Sequence, residues 1–216
     1  MVLFVSGYPD AGLQRIFGRA WRDVGQIESW AQLLAAHGIA TAVYVNDEPA
    51  RDALLALQYL KRQGAGLNID PTRIGIWSVS GNVPNALSLL ASADAATGRC
   101  AVLSNGFFFG SAMVNAARQY GFVAPADDSV LASVNPALAL FVIRSGREEN
   151  VGLNDSLDAF VAQAVAANKS LALLNLPDAP HNFEVAYDNP ATRAAIRQTI
   201  AFYQTHLCDL LGESSA

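Results

Sequence analysis

Short apolar runs alternate with longer stretches in which apolar residues recur every three or four positions, and this alternation persists along the chain. Residues 2–5 form an apolar run closed by Ser6-Gly7. Residues 24–37 place Ile27, Trp30, Ala31 and Leu34 on one helical face, with Gly38 suited to a left-handed stop. A second strand is expected over 39–45. Asp47 is expected to cap a helix with Pro49 in its first turn and a stripe of Ala50, Ala53, Leu54, Leu57 and Leu60. A third strand passes through Ile74, Ile76 and Trp77 into a helix over 83–90, and a fourth spans 100–104. The pattern loosens over 107–136, where Phe107, Phe108, Phe109, Tyr120 and Phe122 are interrupted by Gly110, Gly121 and Pro125. It resumes with a fifth strand over 138–143, a helix over 155–167 and a sixth strand over 171–176. A last helix is opened by Asn189-Pro190, with Ile196, Ile200, Tyr203 and Leu207 as its stripe.

Six strands separated by helices predict an α/β fold, an open and mainly parallel sheet covered on both faces. Ligands bind such sheets beyond the carboxyl ends of the strands. Those ends carry Ser6-Gly7-Tyr8, Ser80, Asn105-Gly106, Glu148 and His181. The chemistry-bearing residues therefore share one edge.

Composition narrows the classes. A chain of 216 residues that is 52% hydrophobic can build one core, so a single domain is expected over 1–211 with a polar tail at 212–216. A net charge of -5 without a basic block argues against nucleic acid or an anionic membrane as partner, and no long apolar run suggests a spanning helix. The first residues lack a charged n-region and run straight into a strand, unlike a signal peptide. Cys100 and Cys208 read as reduced thiols of a cytoplasmic protein, and no His/Cys cluster suggests a metal. No cofactor is expected.

A strand turning sharply into a helix with serine at the corner is a nucleophile elbow. Ser78 and Ser80 both qualify by position. The corner's neighbours two residues away pass close together and should be small. Ser78 and Asn82 flank Ser80, whereas bulky Ile76 would flank Ser78, so Ser80 is the candidate. Gly81 then offers an oxyanion N–H, and the loop after the first strand offers a second at Tyr8, beside Gly7. Of three histidines, His37 and His206 lie at or in helices; His181 alone follows a strand, in a Pro-flanked loop. Glu148 and Glu149 follow the fifth strand in the order Ser, acid, His. Glu148, nearer the strand end, is the candidate acid, with Asp155 and Asp178 outside the group.

The segments Val5-Ser6-Gly7-Tyr8-Pro9-Asp10, Trp77-Ser78-Val79-Ser80-Gly81-Asn82, Gly146-Arg147-Glu148 and Pro180-His181-Asn182-Phe183 resemble the serine α/β-hydrolases of the dienelactone hydrolase and small-esterase kind. The resemblance runs from first strand to last helix. It implies an α/β-hydrolase fold, a Ser80-Glu148-His181 triad, and hydrolysis of a small ester or lactone through an acyl-enzyme. The elbow departs from the family as S-x-S-x-N, the acid is Glu where Asp is commoner, and dienelactone hydrolase proper uses a cysteine nucleophile. The same fold and triad serve prolyl-oligopeptidase-like peptidases and non-catalytic binding proteins, which are the alternatives. Phe17, Trp21, Phe107 and Phe108 are expected to wall an apolar substrate pocket, with 107–136 as a small cap. Family members begin with two further strands, which this sequence does not contain. The sheet should then run second, first, third, fourth, fifth, sixth strand. This exposes an apolar edge over 40–45, which a second copy would cover unless the sequence is part of a longer protein.

Overall fold

The apolar runs become strands of one sheet: β1 (Val2–Phe4), β2 (Thr41–Ala42), β3 (Gly75–Val79), β4 (Cys100–Ser104), β5 (Ala139–Arg147) and β6 (Leu171–Pro180). Their spatial order is β2-β1-β3-β4-β5-β6, with every neighbouring pair parallel. This is the order expected from the resemblance. The computed structural model describes residues 1–208 other than Ala126 and Asp128, so the tail at 212–216 lies outside the described residues.

Strands β1, β3 and β4 are buried at every position, because helices cover both faces of the sheet. Alternate residues go to opposite layers. Val2, Phe4, Trp77, Val79 and Val102 pack against α2 (Gly25–Ala36) and α9 (Pro190–Leu207). Leu3, Ile76, Leu103, Leu140 and Val142 pack against α3 (Pro49–Gln63), α4 (Val83–Ala91) and α7 (Leu153–Ala166). The expected stop after α2 is present, with Gly38 at φ 76°. The cap of α3 differs from expectation: the Asp52 carboxylate reaches back to accept the N–H groups of Asp47 and Glu48 at 2.8 and 2.7 Å. Asp47 is thus the capped residue.

Two further departures bear on the site. The second strand is shorter than expected, because β1 offers only three residues for it to pair with. The fifth and sixth strands are longer. Their ladder passes an irregularity between Ser145 and Arg147 and continues to the pair Arg147–Pro180. Glu148 and His181 are therefore the first residues beyond two strand ends that lie side by side. Backbone pairing, more than loop folding, brings acid and base together.

The loosened segment contains α5 (Gly110–Tyr120) and the short α6 (Val130–Ser133). Phe108 and Phe109 belong to the sheet core, where Phe108 stacks on Phe160 at 4.3 Å between ring centroids. Phe107, Met113, Ala116, Phe122 and Leu153 form a separate small cluster. The two remaining helices are α1 (Asp10–Phe17) and α8 (Phe183–Ala186).

Candidate active site

Strand β3 ends at Val79 with extended dihedrals, and the next residue, Ser80, has φ 58° before the chain enters a tight turn over Ser80–Asn82 and then α4. A left-handed serine between a buried strand and a helix is backbone strain held in place by its surroundings. It lifts the side chain off the sheet. Ser78 is wholly buried, its hydroxyl donating to the Val5 carbonyl at 3.2 Å, so it belongs to the sheet.

The turn tolerates little bulk. A Cβ on Gly81 would lie 2.6 Å from both a Phe122 ring carbon and the Tyr8 hydroxyl oxygen. A Cβ on Gly7 would lie 2.7 Å from the Gly81 carbonyl oxygen. The loop after β1 is thus pressed against the turn after β3. Asn82 joins them: its Oδ1 accepts the Gly7 N–H at 2.7 Å and lies 3.3 Å from the Ser6 hydroxyl.

Ser80 Oγ lies 2.8 Å from His181 Nε2, and His181 Nδ1 lies 2.5 Å from Glu148 Oε2. With its proton on Nδ1, the imidazole donates to the carboxylate and leaves Nε2 to accept the serine proton. The Glu148 side chain is 1% exposed. Its other oxygen accepts the Asn150 backbone N–H at 2.8 Å and the Asn150 amide at 2.7 Å. Burial opposes its ionisation, but the hydrogen bonds from His181 and Asn150 outweigh that and hold the carboxyl below its usual range. Glu148 is therefore a fixed anion. Below the site, the Ser145 hydroxyl donates to Asn105 Oδ1, and Asn154 donates to the Ser145 carbonyl at 2.9 Å, tying the ends of β4 and β5 to α7.

The remaining expectations divide. Glu149 lines a cavity of about 430 Å³ with Phe107, Ser111, Asn115, Gln119 and Asn150. Of the four expected pocket aromatics, only Phe107 borders this cavity. Phe108 is in the sheet core, Trp21 is buried against the other layer, and Phe17 is 62% exposed at the end of α1. The reason is periodicity: aromatics in a strand-to-helix connection fill the nearest layer, and the cavity wall falls to the polar face of α5. The Tyr8 N–H, expected as an oxyanion donor, instead donates to the Ser6 hydroxyl at 3.1 Å. His37, at the end of α2, bonds the Leu33 carbonyl, and His206 packs on Phe202 within α9, both as expected. Sequence reading passed over Asn150, and it counted Phe122 only among the aromatics of the loosened segment. An Asn two residues past a Glu is the signal for the first, because a short side chain at that spacing can fold back onto the carboxylate. Among the described residues, no three His, Cys, Asp or Glu side chains gather as a metal cluster, and no helix is long and apolar enough to cross a membrane.

No protein-family model and no curated protein matches the sequence. Solved structures do match. An esterase, LipW from Mycobacterium marinum, superposes with a TM-score of 0.71 at 12% identity, over 96% of this chain and 73% of its own. A bacterial heroin esterase gives 0.68 at 16% identity, over 95% and 74%. Carboxyl esterase 2 from the fungus Tuber melanosporum gives 0.63 at 14% identity, over 95% and 78%. With the parallel sheet, the left-handed serine after β3, and the acid and histidine beyond β5 and β6, these likenesses establish that the chain has the α/β-hydrolase fold.

Proposed function

We propose that the protein is a serine hydrolase that cleaves small carboxylic esters or lactones through an acyl-enzyme. The observation that carries this is the unbroken hydrogen-bonded line from Ser80 through His181 to the enclosed Glu148 carboxylate. Ser80 Oγ attacks the ester carbonyl as its proton passes to His181 Nε2. The carbonyl π pair moves onto oxygen, which the Gly81 N–H receives. Glu148 keeps the imidazole in the required tautomer and stabilises its charged form. Collapse of the tetrahedral adduct breaks the bond to the alcohol oxygen, which takes the proton from His181. Water then repeats the sequence and releases the acid. Segment 107–136 acts as the small cap, and the cavity beside α5 receives the acyl or alcohol portion. Its lining of Ser111, Asn115, Gln119 and Asn150 favours a substrate carrying hydroxyl or carbonyl groups over a plain alkyl chain.

Turnover of a short-chain chromogenic ester and labelling by a serine-directed phosphonate test the proposal. Ser80→Ala is expected to abolish both, and Ser78→Ala to leave most of each. An unlabelled, inactive wild-type chain would leave the cleft to a binding role.

A further inference from the structure

The tetrahedral adduct at Ser80 needs a second hydrogen-bond donor, and the loop after β1 is the element that reaches it. Both backbone N–H groups at the tip of that loop are already engaged. Gly7 N–H donates to Asn82 Oδ1 at 2.7 Å and Tyr8 N–H to the Ser6 hydroxyl at 3.1 Å. Nor is the loop free to turn. The Asn85 amide holds the Ser6 carbonyl at 2.7 Å, and the Asn46 amide holds the Tyr8 carbonyl at 2.6 Å. Freeing either N–H costs a hydrogen bond, the one from Gly7 fully buried.

One donor of the loop remains uncommitted. The Tyr8 ring stands edge-on to Phe122, with ring centroids 5.6 Å apart, and its hydroxyl lies over Gly81, 2.6 Å from where a Cβ would stand. No group among the described residues takes the phenolic proton; the hydrogen bonds of Tyr8 all involve its backbone. Resting on the hydrolase reading above, we propose that the Tyr8 hydroxyl, and not a backbone N–H of its loop, is the second donor to the oxyanion, facing it together with Gly81 N–H.

The step is balanced without transfer of the phenolic proton. As the Ser80 Oγ–carbon bond forms, the carbonyl pair localises on oxygen and the serine proton goes to His181. Tyr8 O–H donates a hydrogen bond to that oxygen and keeps its proton. When the pair returns, the bond to the leaving alcohol breaks and the hydrogen bond weakens. Burial, with Tyr120 nearby, pushes the Tyr8 hydroxyl up to about 12, so it stays a donor at any pH at which an esterase is assayed. The odd elbow also gains an explanation. An asparagine at position 82 takes the Gly7 N–H for itself, and a donor from a side chain replaces the one removed.

Tyr8→Phe deletes one oxygen and leaves the ring on Phe122. Loss of an oxyanion donor costs about 10²–10³ in kcat, so a fall of that size is expected with KM within a few-fold of wild type. Affinity for a trifluoromethyl ketone, which forms the same tetrahedral oxyanion on Ser80, should fall in parallel, and the thermal midpoint should not move. Turnover and ketone affinity within threefold of wild type would overturn the assignment. So would slower turnover accompanied by a lower melting temperature and unchanged ketone affinity, which marks a structural tyrosine. A wild-type chain inert to ester and phosphonate would remove the hydrolase reading and this inference with it, an outcome visible before any Tyr8 variant is made.

Discussion

At the residue scale, the site turns on which of two adjacent carboxylates serves His181. Sequence position favoured Glu148 by closeness to the strand end, and the geometry supplies the physical reason. Glu148 is enclosed, with one oxygen on His181 and the other held twice by Asn150, whereas Glu149 faces a cavity. Glu148→Gln is predicted to lower kcat on the order of 10³–10⁴-fold. The amide that replaces the carboxylate can donate to Nδ1, which would turn the imidazole to the tautomer that cannot accept the serine proton. Glu149→Gln should change kcat by only a few-fold. Steady-state kinetics of the two variants check this, and the reverse order would exchange their roles. The place of Ser80 at the corner was legible for a similar reason, since bulk at Ile76 and small size at Ser78 are visible in the letters. The hydrogen-bond commitments of Gly7 and Tyr8 were not legible. They depend on Asn82 and Asn85, at the start of α4, and on Asn46, after β2, arriving from two other parts of the chain.

At the element scale, the sheet was readable because each buried strand is a continuous apolar run and each helix carries its stripe at the helical period. Reading failed at strand ends. The extension of β5 and β6 past Ile143 and Leu176 runs through Arg144 and Ser145, which pair because their neighbours already do, and then past Gly146 and Pro177 at the irregularity to the pair Arg147–Pro180, none of them with a strand signature. It failed again for the aromatics of 107–109, whose layer is set by how the chain turns at Asn105, at φ 45°. Between α8 and α2 lies a feature with a testable consequence. Glu184 Oε1 accepts from Gln26 at 2.9 Å, while its Oε2 is out of solvent and has no partner. Burial raises its pKa above the usual 4.5, against smaller opposing effects of a backbone N–H, Gln26 and His181. A carboxyl raised in the folded state stabilises the fold fully below the unfolded value, and that contribution is lost as pH rises through the folded value. Glu184→Gln does not titrate, so its thermal midpoint should match wild type below the usual carboxyl range and exceed it increasingly as pH rises above that range. A difference that stays constant across the series would show that the carboxyl ionises in the fold as freely as in the unfolded chain.

At the scale of the whole molecule, the described sheet ends at β2. β2 is the outermost strand, and no further strand pairs with it among the described residues. Val2 N–H reaches the Ala40 carbonyl, so in this parallel ladder Thr41 directs its own N–H and C=O outward. Beside it, a groove of about 620 Å³ runs between β2 and α3, lined by Met1, Leu3, Val43, Val45, Leu55 and Tyr59 among others. Val45, Leu55 and Tyr59 are 59%, 44% and 53% exposed, and neither lysine nor proline guards the strand. For the chain as given we propose a second copy as the occupant, unless a further segment of a longer protein takes the place, and the rim charges suit a copy. Asp52 lies at the start of α3 and Arg62 at its end, both on the groove rim, so a two-fold axis that pairs β2 antiparallel with its copy sets each Arg62 toward the other Asp52. The expected outcome is a concentration-dependent dimer in sedimentation velocity over a dilution series, weakened by salt because the rim pairs are exposed. Val45→Lys places like charges across the axis and should leave a monomer that still reacts with phosphonate at Ser80, since none of Ser80, Glu148 and His181 lines the groove. A wild-type chain that stays monomeric at every concentration, with the amides of 41–45 protected from hydrogen exchange, would show that the edge is closed from within the chain.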